Sequence, residues 1–158
     1  MPINLIWAES KNGIIGKDGH LPWSFSTDMK YFKEVTTGNT VVMGKNTANS
    51  LKGALPNREN LVLTHDSKVR DGFRKAKDID EILELAVDNT VFVIGGKQVY
   101  DTFMIYADRI YLTKIDKNYE GDTLAPLYSK VDFILTEEVT VVEDDVNLSF
   151  QILDRIDW

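Results

Sequence analysis

The stretch GHLPWSFSTDMKYFK, residues 19–33, sets a carboxylate among rings. Asp28 lies between Trp23, Phe25 and Met29 on one side and Phe32 on the other, and positions four apart on a helix share a face. A carboxylate in such company is partly desolvated, which costs free energy unless something pairs with it. Lys30 and Lys33 fall on other faces of the helix. The ordinary reading is an acid in the first helical turn, favoured by the helix dipole by ~0.3–1 kcal/mol. The chemical reading is a partner that arrives with a ligand: an amidine-like edge, N–H beside NH₂, gives a carboxylate two parallel hydrogen bonds.

Two other segments have chemistry in their backbone. In VVMGKNT (41–47) and VFVIGGKQVY (91–100) a strand stops at glycine and a helix starts at once. The first N–H groups of a helix have no internal partner and favour anions. Gly44, Gly95 and Gly96 would let a phosphate approach the backbone. Glycine turns of this kind are common, and neither segment matches G-x-G-x-x-G. Lys45 follows the first junction, and Thr64 and His65 end another strand in LTHD; together they could receive an extra phosphate on an adenosine ribose, although His65 alone reads as a surface residue. Gly95–Gly96 is also the pair that best tolerates a cis peptide.

The elements that must position these groups alternate. Strands are expected at 3–8, 40–44, 60–64, 91–96, 109–115, 133–142 and 149–156, the last two as a hairpin. Helices are expected at 27–36 with Ser26 as N-cap, 46–51, 79–86 and 97–107. Short β-branched runs separated by helices predict a parallel sheet covered on both faces, with ligands at the strand carboxyl ends. The fold class is therefore α/β: one domain over 1–158, with a mixed, mostly parallel sheet and a C-terminal antiparallel hairpin. Residues 9–24 read as a long loop with Gly13, Gly16 and Gly19 as flexible points and Leu21, Pro22 and Trp23 as an apolar tip. Loops of that length in a compact domain are often functional.

The chain has 158 residues, 43% of them apolar, no cysteine and two histidines. Disulfides, thiolate metal sites and cysteine nucleophiles are excluded, no metal centre is expected, and the composition suits a reducing cytoplasm. No transmembrane run or signal peptide is expected. A net charge of -7 argues against nucleic acid, and it requires a local cluster of cations or N–H donors for any small anion.

In series, IGKDGHLPW, Asp28 with Phe32, VVMGKNTANS, LPNREN, VFVIGGKQVY, YLTKI and YEGDT resemble the dihydrofolate reductases of the bacterial chromosomal type, across nearly the whole chain. The resemblance implies a sheet of about eight strands with about four helices, and NADPH-dependent reduction of 7,8-dihydrofolate to tetrahydrofolate in one-carbon metabolism. It implies a cytoplasmic monomer blocked by antifolates such as methotrexate or trimethoprim. By position, Asp28 would bind the pterin's 2-amino and N3 edge, supported by Thr113. Ile6, Trp7, Ala8, Met29, Phe32, Leu51 and Ile94 would line the ring pocket, with Trp7 as a large ring facing it. Leu55 and Phe32 would hold the aminobenzoyl group, and Arg58 would clamp the glutamate α-carboxylate with its planar fork.

For the cofactor, the resemblance implies Ala8, Ile15 and Gly16, with Gly19 in the same loop, at the nicotinamide. Gly44, Asn46 and Thr47 would meet one part of the pyrophosphate, and Gly95, Gly96, Lys97, Gln98, Val99 and Tyr100 the other. Lys45, Thr64, His65 and Lys77 would take the 2′-phosphate. Asp122 would accept from the backbone near Gly16 and so pin the Leu21 loop. Many relatives carry arginine where Lys45 stands, which implies a weaker preference for NADPH over NADH. Trp158 is read as packing. The implied chemistry is hydride transfer to pterin C6 with protonation at N5, the proton coming from a water admitted near Leu21 and Trp23 and favoured by ionised Asp28. Two competing readings are a reductase of riboflavin synthesis with the same fold, which needs no Arg58 clamp, and a non-catalytic nucleotide-binding module, which needs neither Asp28 nor the Trp23 loop.

Overall fold

A computed structural model describes residues 3–156; Trp158 lies outside the described residues. The elements are β1 (Ile3–Ser10), β2 (Ile14–Gly16), α1 (Ser26–Thr36), β3 (Thr40–Gly44), α2 (Lys45–Ser50), β4 (Glu59–Leu63), β5 (Phe73–Ala76), α3 (Ile79–Leu85), β6 (Val91–Gly95), α4 (Lys97–Phe103), β7 (Arg109–Ile115), β8 (Thr123–Leu124), β9 (Phe133–Glu143) and β10 (Val146–Arg155). Eight strands form one sheet in the order β5-β4-β3-β6-β1-β7-β10-β9, and β2 pairs with β8 separately. Only β10 runs against its neighbours in the large sheet. No helix among the described residues is long and apolar enough to cross a membrane.

The strands at the sheet centre are buried on both faces, as their unbroken aliphatic runs require. One face carries Leu5, Trp7, Val42, Val93, Tyr100, Ile110 and Leu112. The other carries Ile6, Val41, Met43, Val62 and Phe92. A third cluster, Trp23, Phe25, Ile115, Leu148 and Phe150, lies beneath the junction of the long loop and α1.

Several expectations change in detail. The N-cap of α1 is Phe25, not Ser26, and it makes no side-chain cap bond. Residues 9–24 are not structureless: β1 runs to Ser10, β2 pairs with β8, and Lys17 bridges to His20. β5, in the charged stretch FRKA, has too little apolar pattern to be seen in sequence. The helix expected over 97–107 is α4 followed by a 3-10 turn at Met104–Tyr106. The Gly95–Gly96 peptide is cis.

Candidate functional site

Asp28 projects from the first turn of α1 toward β7. β7 pairs with β1 in parallel, with Thr113 opposite Ala8. Thr113 is buried, and its side chain hydrogen-bonds the Asp28 carboxylate. Burial pushes the proton affinity of Asp28 up; the Thr113 bond opposes this, and the negative charge of Glu143 adds to it. No cation among the described residues pairs with Asp28. The carboxylate is held by one hydroxyl, with a negative neighbour, in a half-buried place.

Next to it, Ile6 and Phe32 pack into one apolar cluster with Leu51, Leu55, Ile94, Val35 and Tyr111. Strand β1, the C-terminal half of α1, the end of α2 and the end of β6 converge here, so four of the expected ring-pocket residues come together with Leu55. Ala8 instead packs with Trp23 and Tyr31. Trp7 does not face the pocket with its ring. Side chains alternate along β1, so Trp7 lies on the opposite sheet face from Ile6, its ring tilted against Tyr100 with centroids 5.4 Å apart and its Nε1 donating to Glu9 Oε1 at 3.0 Å. Met29 is also displaced from the expected apolar side: with Asp28 turned inward, the next residue, about 100° round the helix, is 62% exposed. Leu21 is exposed too, whereas Trp23 is buried and its Nε1 has no partner among the described residues.

Arg58 sits past the other end of α1. Its Nη1 donates to Thr36 Oγ1 at 3.0 Å and its Nε to the Pro56 carbonyl at 2.9 Å. Thr36 in turn donates to the Phe32 carbonyl at 2.8 Å, which ties the guanidinium to the helix that carries Asp28. No carboxylate among the described residues pairs with Arg58, and partial burial lowers its proton affinity.

The two glycine junctions lie side by side. Met43 pairs with Gly95 across β3 and β6. A Cβ on Gly44 would come 3.1 Å from Val99 Cγ2, and one on Gly95 3.4 Å from Thr47 Oγ1. Helices α2 and α4 start at Gly44 and Gly96 with no side-chain cap. Bare backbone from two helix starts and the Thr47 hydroxyl suit a pyrophosphate. Tyr100 turns away from solvent and donates to the Ile6 carbonyl at 2.8 Å. Lys97 is drawn along α4 to Asp101 at 3.0 Å.

Lys45 and the end of β4 hold a feature that the sequence reading passed over: Lys45 Nζ is 2.8 Å from Asp66 Oδ2. Lys45, by hydrogen bond and charge, holds the Asp66 carboxyl below its usual range, with Lys75 and His65 adding to the effect. Thr64 accepts from the Asp66 N–H at 3.1 Å. Lys77 lies on a groove with Lys75, Asp78 and Glu81 instead. The local cation cluster thus contains its own anion.

The long loop is fastened to the segment before β8. The Asp122 N–H donates to the Gly16 carbonyl at 3.0 Å, and the Asp122 carboxylate accepts from the Asp18 N–H at 2.9 Å. A Cβ on Gly121 would collide with Ile14 and the Gly16 carbonyl, so only glycine fits. Ile15 packs on the core cluster that holds Trp7, and Gly19 sits at φ 80 within the turn that the Lys17–His20 bridge closes. Gln98 is exposed on α4 and Asn46 on α2.

A family model described as dihydrofolate reductase matches residues 2–155. The chain belongs to the dihydrofolate reductase family. The dihydrofolate reductase of Bacillus subtilis is 36% identical over 92% of this chain and 88% of its own length. The type 3 dihydrofolate reductase of Salmonella typhimurium is 39% identical over 93% and 92%. The solved structure of the Enterococcus faecalis dihydrofolate reductase, complexed with NADP(H) and RAB-propyl, superposes with a TM-score of 0.91 at 33% identity, covering 98% of this chain and 96% of that one. Membership makes this chain an oxidoreductase that reduces dihydrofolate with NADPH. The α/β fold with a C-terminal antiparallel pair is that of the family.

Proposed function

We propose that Asp28 receives the pterin of dihydrofolate by its 2-amino and N3 edge, and that the surrounding residues divide the remaining work. The observation that carries this is the half-buried carboxylate with a hydroxyl partner, Thr113, and no cation among the described residues. Ile6, Phe32, Leu51 and Ile94 hold the ring faces and exclude water. Trp7 and Ala8 contribute through backbone groups, since their side chains lie elsewhere. Leu55 supports the aminobenzoyl group, and the unpaired fork of Arg58 binds the glutamate α-carboxylate. Met29 and Leu21 cover the open rim.

The cofactor fits the second half of the cleft. The uncapped starts of α2 and α4, with Asn46, Thr47, Gly44, Gly95, Gly96, Lys97, Gln98, Val99 and Tyr100, line the pyrophosphate region. Lys45, Thr64 and His65 take the 2′-phosphate, with Lys77 farther along the same edge. Ala8, Ile15, Gly16 and Gly19 border the nicotinamide. NADPH supplies the hydride when bound. The chain's own residues align the pterin, dry the site and favour a proton at N5. The buried Trp23 N–H orients a water beside Leu21, and the negative field of Asp28 stabilises the protonated pterin. Fastening of the loop through Asp122 sets how tightly Leu21 and Trp23 close.

The chain acts as one domain, as a cytoplasmic monomer, and binds antifolates with a 2,4-diamino edge, such as methotrexate or trimethoprim, at Asp28. The test is the loss of NADPH absorbance on adding dihydrofolate, with methotrexate as the block. Turnover that methotrexate abolishes supports the assignment; normal turnover by Asp28→Asn at neutral pH overturns it.

A further inference from the structure

Helix α1 begins without a cap of its own. Phe25 occupies the N-cap position, and its ring is buried in the cluster beneath the loop. A phenyl ring cannot accept a hydrogen bond from the first-turn N–H groups, so the backbone that carries Asp28 needs an acceptor from elsewhere. That acceptor is Glu143, more than a hundred residues away at the end of β9. Its Oε2 accepts from the Ser26 N–H at 2.9 Å and the Ser26 hydroxyl at 3.2 Å, and its Oε1 accepts from the Thr27 N–H at 2.8 Å.

The hairpin is built to deliver this group. Glu143 pairs with Val146 across a two-residue turn, Asp144 and Asp145, with φ of 51 and 62. Two successive positive φ values are the signature of a turn that matches the twist of a tight hairpin. Behind the turn, Val141, Val146, Leu148 and Phe150 pack against Trp23 and Phe25. The hairpin therefore supports the loop–helix junction twice, by apolar contact and by three charge-assisted hydrogen bonds.

We propose that Glu143 is a positioning residue for dihydrofolate reduction: it clasps the start of α1 from the hairpin, sets the first-turn backbone that aims Asp28, and adds a negative charge beside that carboxylate. The proposal rests on Asp28 being the group that binds the pterin. Glu143 is itself pulled down to about 2 by hydrogen bonds from Thr27 and Ser26, so the clasp is charged and closed wherever the enzyme works. Since its affinity for a proton is lower in the folded state, it stabilises the fold above the ordinary glutamate range and loses that effect as pH falls toward about 2. The groups facing Asp28 are Thr113 from β7, Glu143 from the hairpin, and Tyr31 from its own helix. Tyr31 is pushed up to about 12 by burial and by Tyr111, Glu137 and Asp28, with Arg109 opposing, and so stays neutral through the working range.

The experiment compares Glu143→Gln with Glu143→Ala. Gln keeps one acceptor oxygen and removes the charge; Ala removes both. In Glu143→Gln the acid limb of the pH profile for dihydrofolate turnover moves to lower pH, with KM near that of the parent. In Glu143→Ala the same shift comes with a KM for dihydrofolate raised roughly fivefold, the loss of a cap, and the Ser26 and Thr27 amides lose hydrogen-exchange protection. If both variants keep the parent's limb, KM and amide protection, the proposal is wrong. Asp28→Asn separates the two readings: it abolishes the limb if Asp28 is the titrating group and leaves it in place if the assignment of Asp28 is at fault.

Discussion

The two charged ends of the cleft are built in opposite ways. At the proposed pterin end a half-buried carboxylate has a hydroxyl and a second carboxylate for neighbours, and no cation among the described residues. At the phosphate end a cation, Lys45, already holds a carboxylate, Asp66, at 2.8 Å, and both side chains are about half exposed. Burial decides what each arrangement means. An ionised acid in a dry site is costly and gains much from a ligand that supplies two donors. An exposed ion pair is worth ~0–1 kcal/mol and is readily exchanged for a phosphate. On the proposed assignment the first end is poised to bind and the second must release a partner first, so discrimination would be concentrated on the pterin and weakened at the 2′-phosphate.

The largest expected effect tests the pterin end. Asp28→Asn, nearly isosteric, should lower turnover at pH 7 by roughly 100-fold or more, the scale of losing a group that governs proton transfer, while the Kd for NADPH stays unchanged. Arg58→Ala should come next. Losing a charge-assisted clamp of ~1.5–3 kcal/mol should raise the KM for dihydrofolate by roughly 10- to 100-fold, with little change for a substrate lacking the glutamate. Third is stability. The folded-state proton affinity of Asp28 is raised by burial, so its contribution is present at low pH and is lost as pH rises through the folded value. Asp28→Asn should therefore melt higher than the parent at pH 7, by a few degrees, and the gap should close under acid. A parent that melts higher than the variant at pH 7 would mean that the carboxylate is better solvated than described. The smallest effect is at the phosphate end: Asp66→Asn should tighten NADPH severalfold at low ionic strength by freeing Lys45, and the gain should fade with salt.

Much of this was legible in the sequence because the chemistry sits at element boundaries. Asp28 against Phe32, the two glycine junctions and the order of strands could be read from local spacing alone, and the structure brings Ile6, Phe32, Leu51, Leu55 and Ile94 together as expected. What escaped depended on register or on distance along the chain. The Trp7 ring went to the wrong face because the strand's phase was fixed only once β1 lay between β6 and β7. Asp66 was in plain view in LTHD, but a search for cations does not register the anion beside them. Glu143 had no local sign at all: EDDV suggests a hairpin turn, yet nothing in those four residues says that the turn docks on the start of α1. Arg70, which donates to the Ala48, Leu51 and Lys52 carbonyls and so closes the end of α2, is another contact set by tertiary packing.

Asp28 is proposed to be a half-buried acid, without a cation among the described residues, whose partner is the ligand. The most direct measurement is a pH titration of ¹³C-carboxyl-labelled aspartate by NMR, with the Asp28 signal assigned by its loss in Asp28→Asn. In the free enzyme Asp28 should titrate above the ordinary aspartate value of ~3.9, and with methotrexate bound it should stay ionised through that range. A free-enzyme Asp28 that titrates at or below the ordinary value, or one whose titration methotrexate leaves untouched, would contradict the account.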